Sequence, residues 1–364
     1  MTRFARVESL KSDLGVADLV DLPAPQLAEG EVLARIERIA LTTNNMTYAV
    51  YGDTLGYWNL FPAEQDGYGC MPAWGFAEII ESRAADVPVG TRVFGYFPIA
   101  THLTMRPTKV TARSFVDGAA HRTGTPDVYN LYELQPRDTD PRQDSLTAIY
   151  RPLFITSYTA ADYLRDRGFF DAEQFVISSA SSKTAYGAAY CLADSPAQRI
   201  ALTSARNIEF VEGLGHYTAT HEYADLKAID STRRTVYVDL SGDGDLRRRV
   251  HEHFGDRLAF DCLIGSTRAD GFPEDDDSLV GPAPVFFFAA LQLDAYKAEG
   301  QSRAFMQRYR RDERDFLEQV GGTEQPSIKL LEHAGLADAP TVIAGFHDGS
   351  TDPAVGHIFI PDAD

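Results

Sequence analysis

The sequence predicts an α/β protein in two parts, a β-rich domain followed by a doubly wound parallel sheet. Its 364 residues, 44% of them hydrophobic, are enough for two cores. Short strand-like runs separated by Gly and Pro fill the N-terminal part before any long helical pattern begins. From Ala148 onward strand and helix patterns alternate, which is the grammar of right-handed βαβ units on a parallel sheet. The pivotal stretch is Gln174 to Ala193, QFVISSASSKTAYGAAYCLA. There a buried strand, Phe175 to Ile177, meets a small polar turn and then a helix-forming run.

Taken in order, Val32 to Ile39 (VLARIERI) has the two-residue period of a half-buried strand and follows a Pro-containing turn over Asp21 to Gly30. Ala40 to Gly56 reads as a polar and aromatic loop containing Thr42, Thr43, Asn44, Asn45, Thr47, Tyr48 and Tyr51. A loop that places hydrogen-bond donors and a well-capped surface segment both have this composition. Strands are expected at Phe76 to Ile80, within Val89 to Tyr96 and at His102 to Met105. Thr111 to Arg142, rich in Pro, Asp and Thr, reads as a boundary or an inserted loop.

The alternating half begins with a helix over Thr156 to Arg167. After the Phe175 strand come a helix at Thr184 to Ala193, a strand at Arg199 to Thr203 and a helix at Asn207 to Leu214. A strand at Thr235 to Leu240, a helix at Leu246 to Phe254 and a strand at Leu258 to Ile264 complete the pattern. Gly271 to Ser278 reads as an acidic loop, with Glu274 to Asp277 a solvated turn. Gly281 to Ala290 is strand-like, and Leu291 to Val320 is a charged helical stretch broken near Gly300. Its apolar face, Phe305, Met306, Tyr309, Phe316 and Leu317, suits bracing.

In open α/β sheets ligands bind beyond the carboxyl ends of the strands, where a helix's first turn offers N–H groups to a phosphate. The usual GxGxxG fingerprint is absent: Ser179, Ala180, Ser181 and Ser182 form the turn, Lys183 and Thr184 open the helix, and Gly187 is the only glycine nearby. Phosphate cradling by Ser179, Ser181, Ser182, Lys183 and Thr184 stands beside an ordinary helix start capped by Ser182. At the end of the next strand, RIALTSARN puts Thr203, Ser204 and Arg206 where an acidic residue would accept from the ribose of NAD. Hydroxyls and a cation suit a 2′-phosphate instead, so a dinucleotide site here favours NADP. Otherwise Arg206 is a surface arginine.

The net charge of −19 argues against wrapping a nucleic-acid backbone. No apolar run approaches a membrane span, and MTRFARVESLKSD lacks the signal-peptide pattern. The expectation is a cytoplasmic protein without a membrane partner. Cys70, Cys191 and Cys262 are too scattered for a disulfide framework or a thiolate zinc knot, and suit buried thiols in a reducing compartment.

In this order the segments resemble the medium-chain dehydrogenase/reductase superfamily, in particular its zinc-independent, quinone-oxidoreductase-like branch. They are most similar to an uncharacterised family of the same build. ARIERIALTTNNMTYAVYG resembles the strand and active-site loop, GTRVFGY the GDRV turn, ITSYTAADYLRDRG the helix before the first Rossmann strand, and DGSTDPAVGHIFI the closing segment. The resemblance implies a β-rich, GroES-like catalytic domain over residues 1–148, to which 285–364 return. It also implies a Rossmann-type NADP-binding domain over 149–284, and a homodimer.

The same resemblance implies residue roles. The branch has a loop tyrosine near the nicotinamide, and counting back from Gly52 gives Tyr48. The count puts Thr43 where a loop asparagine belongs and Met46 where an aspartate belongs, leaving Asn44 or Asn45 to supply an amide. The glycine-rich turn is replaced by Ser178 to Gly187, with hydroxyl donors in place of close backbone approach. Zinc-dependent members carry a loop cysteine, a Gly-His-Glu and a cysteine cluster. This chain has Ala73, Trp74 and Gly75 in the Gly-His-Glu region and no such cluster, so no metal is expected; Asp66 with His102 or His121 is an unconstrained pairing.

A metal-free site suits an activated alkene, quinone or carbonyl, with Tyr48 or an asparagine amide meeting the charge that develops on oxygen. Tyr48, Tyr51, Tyr57, Trp58, Tyr68 and Trp74 supply either a wall for an apolar, planar small molecule or ordinary core. NADPH-dependent reduction therefore stands beside two alternatives: a lyase or isomerase on the same fold, and a nucleotide-binding protein without catalysis.

Overall fold

The computed structural model describes residues 2–265, 279–322 and 327–361. The chain divides into two compact units, Met1–Ile149 with Lys329–Asp364, and Tyr150–Ile328. The expected acidic loop from Gly271 to Ser278, with its Glu274 to Asp277 turn, lies outside the described residues.

The first unit is built on the strand Val32–Leu41, whose Val32, Ala34, Ile36 and Ile39 are fully buried. It pairs antiparallel with Pro72–Ser82, His102–Met105 and Val355–Ile360 within a nine-stranded sheet. The pairing with Pro72–Ser82 slips between Ile36 and Arg38, and Gly75 faces Ile39 just beyond the slip. A Cβ on Gly75 would stand 2.0 Å from the Arg38 carbonyl oxygen, so only glycine lets the two backbones close up there.

Three segments of this unit differ from expectation. Ala40 to Gly56 is not wholly loop but contains the helix Asn44–Val50. Its Thr and Asn residues make a helix start, in which Asn45 Oδ1 accepts from the Thr42 N–H at 2.7 Å. Thr111 to Arg142 is neither boundary nor insertion: it supplies strands Ser114–Asp117 and Leu131–Gln135, paired with each other, and the first residues of the helix Pro141–Asp166. A buried pair, Arg122 Nε to Asp117 at 3.0 Å, accounts for some of its polar content. The strand Lys329–Ala334 and helix Ala339–His347 were not anticipated; KLLEHA is a largely exposed edge strand and has no alternation to read.

The second unit holds a six-stranded parallel sheet in the order Ala219–Glu222, Gln198–Thr203, Gln174–Ile177, Thr235–Asp239, Leu258–Leu263, Val285–Phe286. Counted along the chain this is 3-2-1-4-5-6, the doubly wound Rossmann order. Helices Lys183–Cys191, Ile208–Gly213 and Gly244–Phe254 fall where the periodicity put them. The expected Thr156 to Arg167 helix is the second half of the 26-residue Pro141–Asp166. The third strand was missed because ATHE is short, polar and half exposed.

Leu291 to Val320 does break at Gly300, whose φ is +71°, into helices Ala289–Ala298 and Ser302–Gly321. Of the strand-like Gly281 to Ala290 segment only Val285–Phe286 is strand. These helices pack on the long Pro141–Asp166 helix: Phe316 stacks on Phe154 at 4.5 Å, Tyr158 Oη donates to Asp312 at 2.9 Å, and Tyr296 Oη donates to Asp162 at 2.8 Å. The chain therefore rejoins the first unit at Lys329, where the sequence expectation placed the return at residue 285.

His216 belongs to the same aromatic cluster, its ring 5.7 Å from Tyr190 and 6.3 Å from Tyr186, with only 5% of the residue exposed. Burial, helped by the charge of Arg199, lowers its pKa to about 4. Above the ordinary histidine pKa of 6.5 neither folded nor unfolded chain is protonated there. As pH falls from 6.5 toward 4 the unfolded chain takes a proton that the folded one refuses, so stability is lost across that window. At about 1.4 kcal/mol per unit of displacement the loss is on the order of 3 kcal/mol. Urea melts of His216→Phe at pH 7, 5.5 and 4.5 should show a shallower fall than the parent; an identical slope would mean that His216 is not the group responsible.

Candidate functional site

The turn after the first parallel strand is held by the protein at nearly every residue. Ser179 takes a left-handed conformation, φ +47°, where a glycine would be free of strain. Its N–H donates to Tyr223 Oη at 3.1 Å, Ala180 N–H donates to the Leu202 carbonyl, and Tyr217 Oη donates to the Ala180 carbonyl. Ser182 caps the helix, its Oγ accepting from Ala185 N–H at 3.2 Å. Ser181 Oγ accepts from Asn207 Nδ2 at 3.0 Å. Both hydroxyls accept from the protein in these contacts, and a hydroxyl that accepts still has its own proton to donate. Two hydroxyl donors at the start of a nine-residue helix fit a phosphate, with Lys183 and Thr184 half-buried in its first turn. Gly187 serves packing: a Cβ there would lie 2.8 Å from Ser157 Oγ, which donates to the Thr184 carbonyl.

The second strand delivers its end to the same place, as the Ala180–Leu202 and Ser181–Asn207 contacts require. Arg206 is exposed and Ser204 half-buried, whereas Thr203 is 1% exposed and faces inward. Ser204 and Arg206 thus lie at the surface near the turn, and Thr203 is part of the core.

Beneath the turn lies a buried charged cluster that the sequence reading missed. Ser178 Oγ donates to Asp239 at 2.8 Å and accepts from the N–H groups of Leu240 and Ser241. Asp239 Oδ1 also accepts from Ser241 and Gly242, while its other oxygen pairs with Arg247. Arg247 Nε reaches Asp261 at 3.3 Å, and His251 Nε2 lies 2.9 Å from the same Asp261 oxygen. The remaining ring nitrogen of His251 donates to the Val280 carbonyl. Burial pushes the Asp261 carboxyl above its ordinary range, with Arg247 and His251 opposing. The available signal was an aspartate closing the apolar strand TVYVD.

In the first unit, helix Asn44–Val50 presents Tyr48 to a cluster of neutral rings. Tyr48 lies 5.0 Å from Tyr57 and 5.3 Å from Tyr96 by ring centroids, and its Oη accepts from Trp74 Nε1 at 3.1 Å. Tyr57 and Tyr129 share a hydroxyl hydrogen bond of 2.8 Å, and Tyr129 lies 5.0 Å from Tyr96. Burial above all, with Tyr129 adding, drives the Tyr48 phenol far above its ordinary pKa; hydrogen bonds led by Trp74 pull less strongly the other way. Tyr48 is therefore a neutral donor at any ordinary pH. Asn44, one helical turn earlier and half-buried, contributes to that environment. Asn45 is buried and uses both ends of its amide on the backbone, accepting from Thr42 N–H and donating to the Pro72 carbonyl, each at 2.7 Å, which is a structural role. Of the anticipated aromatic wall, Tyr48, Tyr57 and Trp74 come together, joined by Tyr96 and Tyr129. Tyr68 instead bonds Asp18 at the surface.

Among the described residues, no three His, Cys, Asp or Glu side chains are grouped to hold a metal ion. Nor is any described helix long and apolar enough to cross a membrane.

A family model described as "Protein of unknown function (DUF2855)" matches residues 39–352. The chain belongs to this family. No curated protein sequence matches it. The DUF2855 chain shares its fold with CurA from Vibrio vulnificus in complex with NADPH, at a TM-score of 0.62 and 12% identity, covering 99% of this chain and 100% of that one. It is also similar to the yhdH oxidoreductase from Salmonella enterica in complex with NADP, at 0.55 and 12%, covering 99% of each. The quinone oxidoreductase from Coxiella burnetii aligns at 0.52 and 15%, covering 98% and 99%. At these identities the likeness is one of fold: a Rossmann-like parallel sheet and a separate GroES-like sheet, as in medium-chain, quinone-oxidoreductase-like structures.

The cluster under the turn makes a stability prediction. Asp239→Ala strands Arg247 in the interior and removes the acceptor of Ser178, Ser241 and Gly242, which should cost about 3–5 kcal/mol. Equilibrium urea unfolding measures this directly; a loss under about 1 kcal/mol would mean that Asp261 alone neutralises Arg247.

Proposed function

We propose that this protein is an NADPH-dependent, metal-independent reductase of an activated alkene, quinone or carbonyl compound. The observation that carries the reading is Tyr48: a buried, neutral phenol whose oxygen already accepts from an indole N–H, inside a cluster of uncharged aromatic rings. A neutral donor held among uncharged rings is suited to negative charge that appears on a substrate oxygen only during reaction. The fold shared with NADPH-bound oxidoreductases supports the same reading.

Bound NADPH would supply the hydride. Ser181 and Ser182 would donate to its pyrophosphate, and Arg206 with Ser204 would hold the 2′-phosphate. Addition of that hydride to a substrate carbon would send the displaced electron pair to oxygen. Tyr48 donates its hydrogen bond to that oxygen, and the proton that completes the product comes from the phenol or from water. The uncharged rings around Tyr48 suit a planar, apolar molecule. The direct test is anaerobic titration with NADPH followed by carbonyl, enone and quinone substrates, with product identification. Tight NADPH binding without turnover on any of them would favour a nucleotide-binding protein that lacks catalysis.

Cofactor choice is tested at Arg206. A charge-assisted pair to phosphate contributes roughly 1.5–3 kcal/mol, so Arg206→Ala should weaken NADPH binding about tenfold to a few hundredfold and leave NADH nearly unchanged. Dissociation constants of both cofactors for parent and variant decide it, and an unchanged preference for NADPH in a folded variant would remove Arg206 from the site.

Tyr48→Phe keeps the ring and removes only the oxygen. Turnover on an identified substrate should fall about a hundredfold or more, with NADPH affinity unchanged. Retained turnover would move the donor elsewhere, and a matching fall in thermal stability would identify Tyr48 as a packing residue.

A further inference from the structure

We propose that Trp74 is the positioning residue of this site, its indole N–H holding the Tyr48 oxygen so that the phenol proton is directed to substrate. The inference rests on the reductase reading above and gives the indole of that contact a role of its own. An indole nitrogen can only donate. In the 3.1 Å contact the Tyr48 oxygen must therefore be the acceptor, and its own hydrogen must point elsewhere.

Trp74 is well placed to keep that direction. Strand register sets it opposite Ala40, just before the helix that carries Tyr48, and opposite Tyr96 on its other side. The adjacent Gly75 permits the close strand approach that brings the indole in. Its ring stacks on Phe94 at 5.7 Å and 20°, and lies 4.7 Å from Tyr96, so the indole has little room to swing.

The rings around Tyr48 are neutral, so the charge that grows on its oxygen as it gives up its proton is met by dipoles. A hydrogen bond to an oxygen gaining negative charge strengthens as the charge grows. The Trp74 contact is thus worth more in the transition state than before it, and its loss should appear in kcat rather than in KM.

The test combines kinetics with a spectroscopic readout that needs no turnover. Trp74→Phe keeps a ring against Phe94 and removes the N–H. It should lower kcat about tenfold, with KM and NADPH affinity within about twofold. In a Tyr48→Phe background the same change should have almost no further effect, because the oxygen it serves is gone. The chain has two tryptophans, Trp58 and Trp74, so protein labelled with ¹⁵N at tryptophan gives two indole N–H signals. Tyr48→Phe should move the one that is missing from Trp74→Phe and leave the other in place. Should Trp74→Phe not fold, Trp58→Phe supplies the assignment. Parental kcat in Trp74→Phe, losses that multiply in the double variant, or an unmoved Trp74 signal would each overturn the proposal. A parent protein inactive on every substrate would overturn the reductase reading, and the indole signal would still decide the contact.

Discussion

The second unit depends on the burial of one carboxylate. Asp239 closes the fourth parallel strand and is completely enclosed, and its two oxygens are divided between tasks. One collects Ser178, Ser241 and Gly242, which fixes the ends of the first and fourth strands relative to each other. The other faces Arg247 on the helix Gly244–Phe254, and through Arg247 the constraint passes to Asp261 on the fifth strand and to His251. A charge in this position is tolerable only while every partner is present. The turn that begins at Ser178 is thus anchored from below by groups that never meet solvent.

The first unit solves a comparable problem without charge. Tyr48, Tyr57, Tyr96, Tyr129 and Trp74 bring four hydroxyls and an N–H into one cluster, and burial keeps the phenols protonated. A site of this kind offers hydrogen-bond donors without the desolvation cost of an ion.

Most of the parallel sheet was legible because its strands are short apolar runs and its helices have an apolar face, as in Phe175 to Ile177 or Leu246 to Phe254. What escaped was polar or exposed: ATHE at the third strand and KLLEHA at an edge have no periodicity to read. The extent of the second unit escaped for a different reason, since the docking of Phe316 on Phe154 joins residues distant in sequence. At the candidate sites, residue type was readable and side-chain direction was not. Asn45 and Thr203 looked like ligand-facing polar groups, yet one is spent on backbone and the other points into the core. Tyr96 and Tyr129 were not singled out in the sequence: the register of Tyr96 opposite Trp74 places one beside Tyr48, and the short helix Asp127–Asn130 places the other against Tyr57 and Tyr96.

The hydroxyl-bearing turn has a practical consequence. In a glycine-rich phosphate loop the donors belong to the backbone, and no side-chain replacement can delete one without reshaping the loop. Here Ser181 and Ser182 offer theirs from side chains, each oriented by a separate acceptor contact with the protein. The hydroxyl donors of this turn are therefore separable from one another and from its backbone: Ser181 can lose its oxygen at the expense of one contact with Asn207, and Ser182 at the expense of the helix cap.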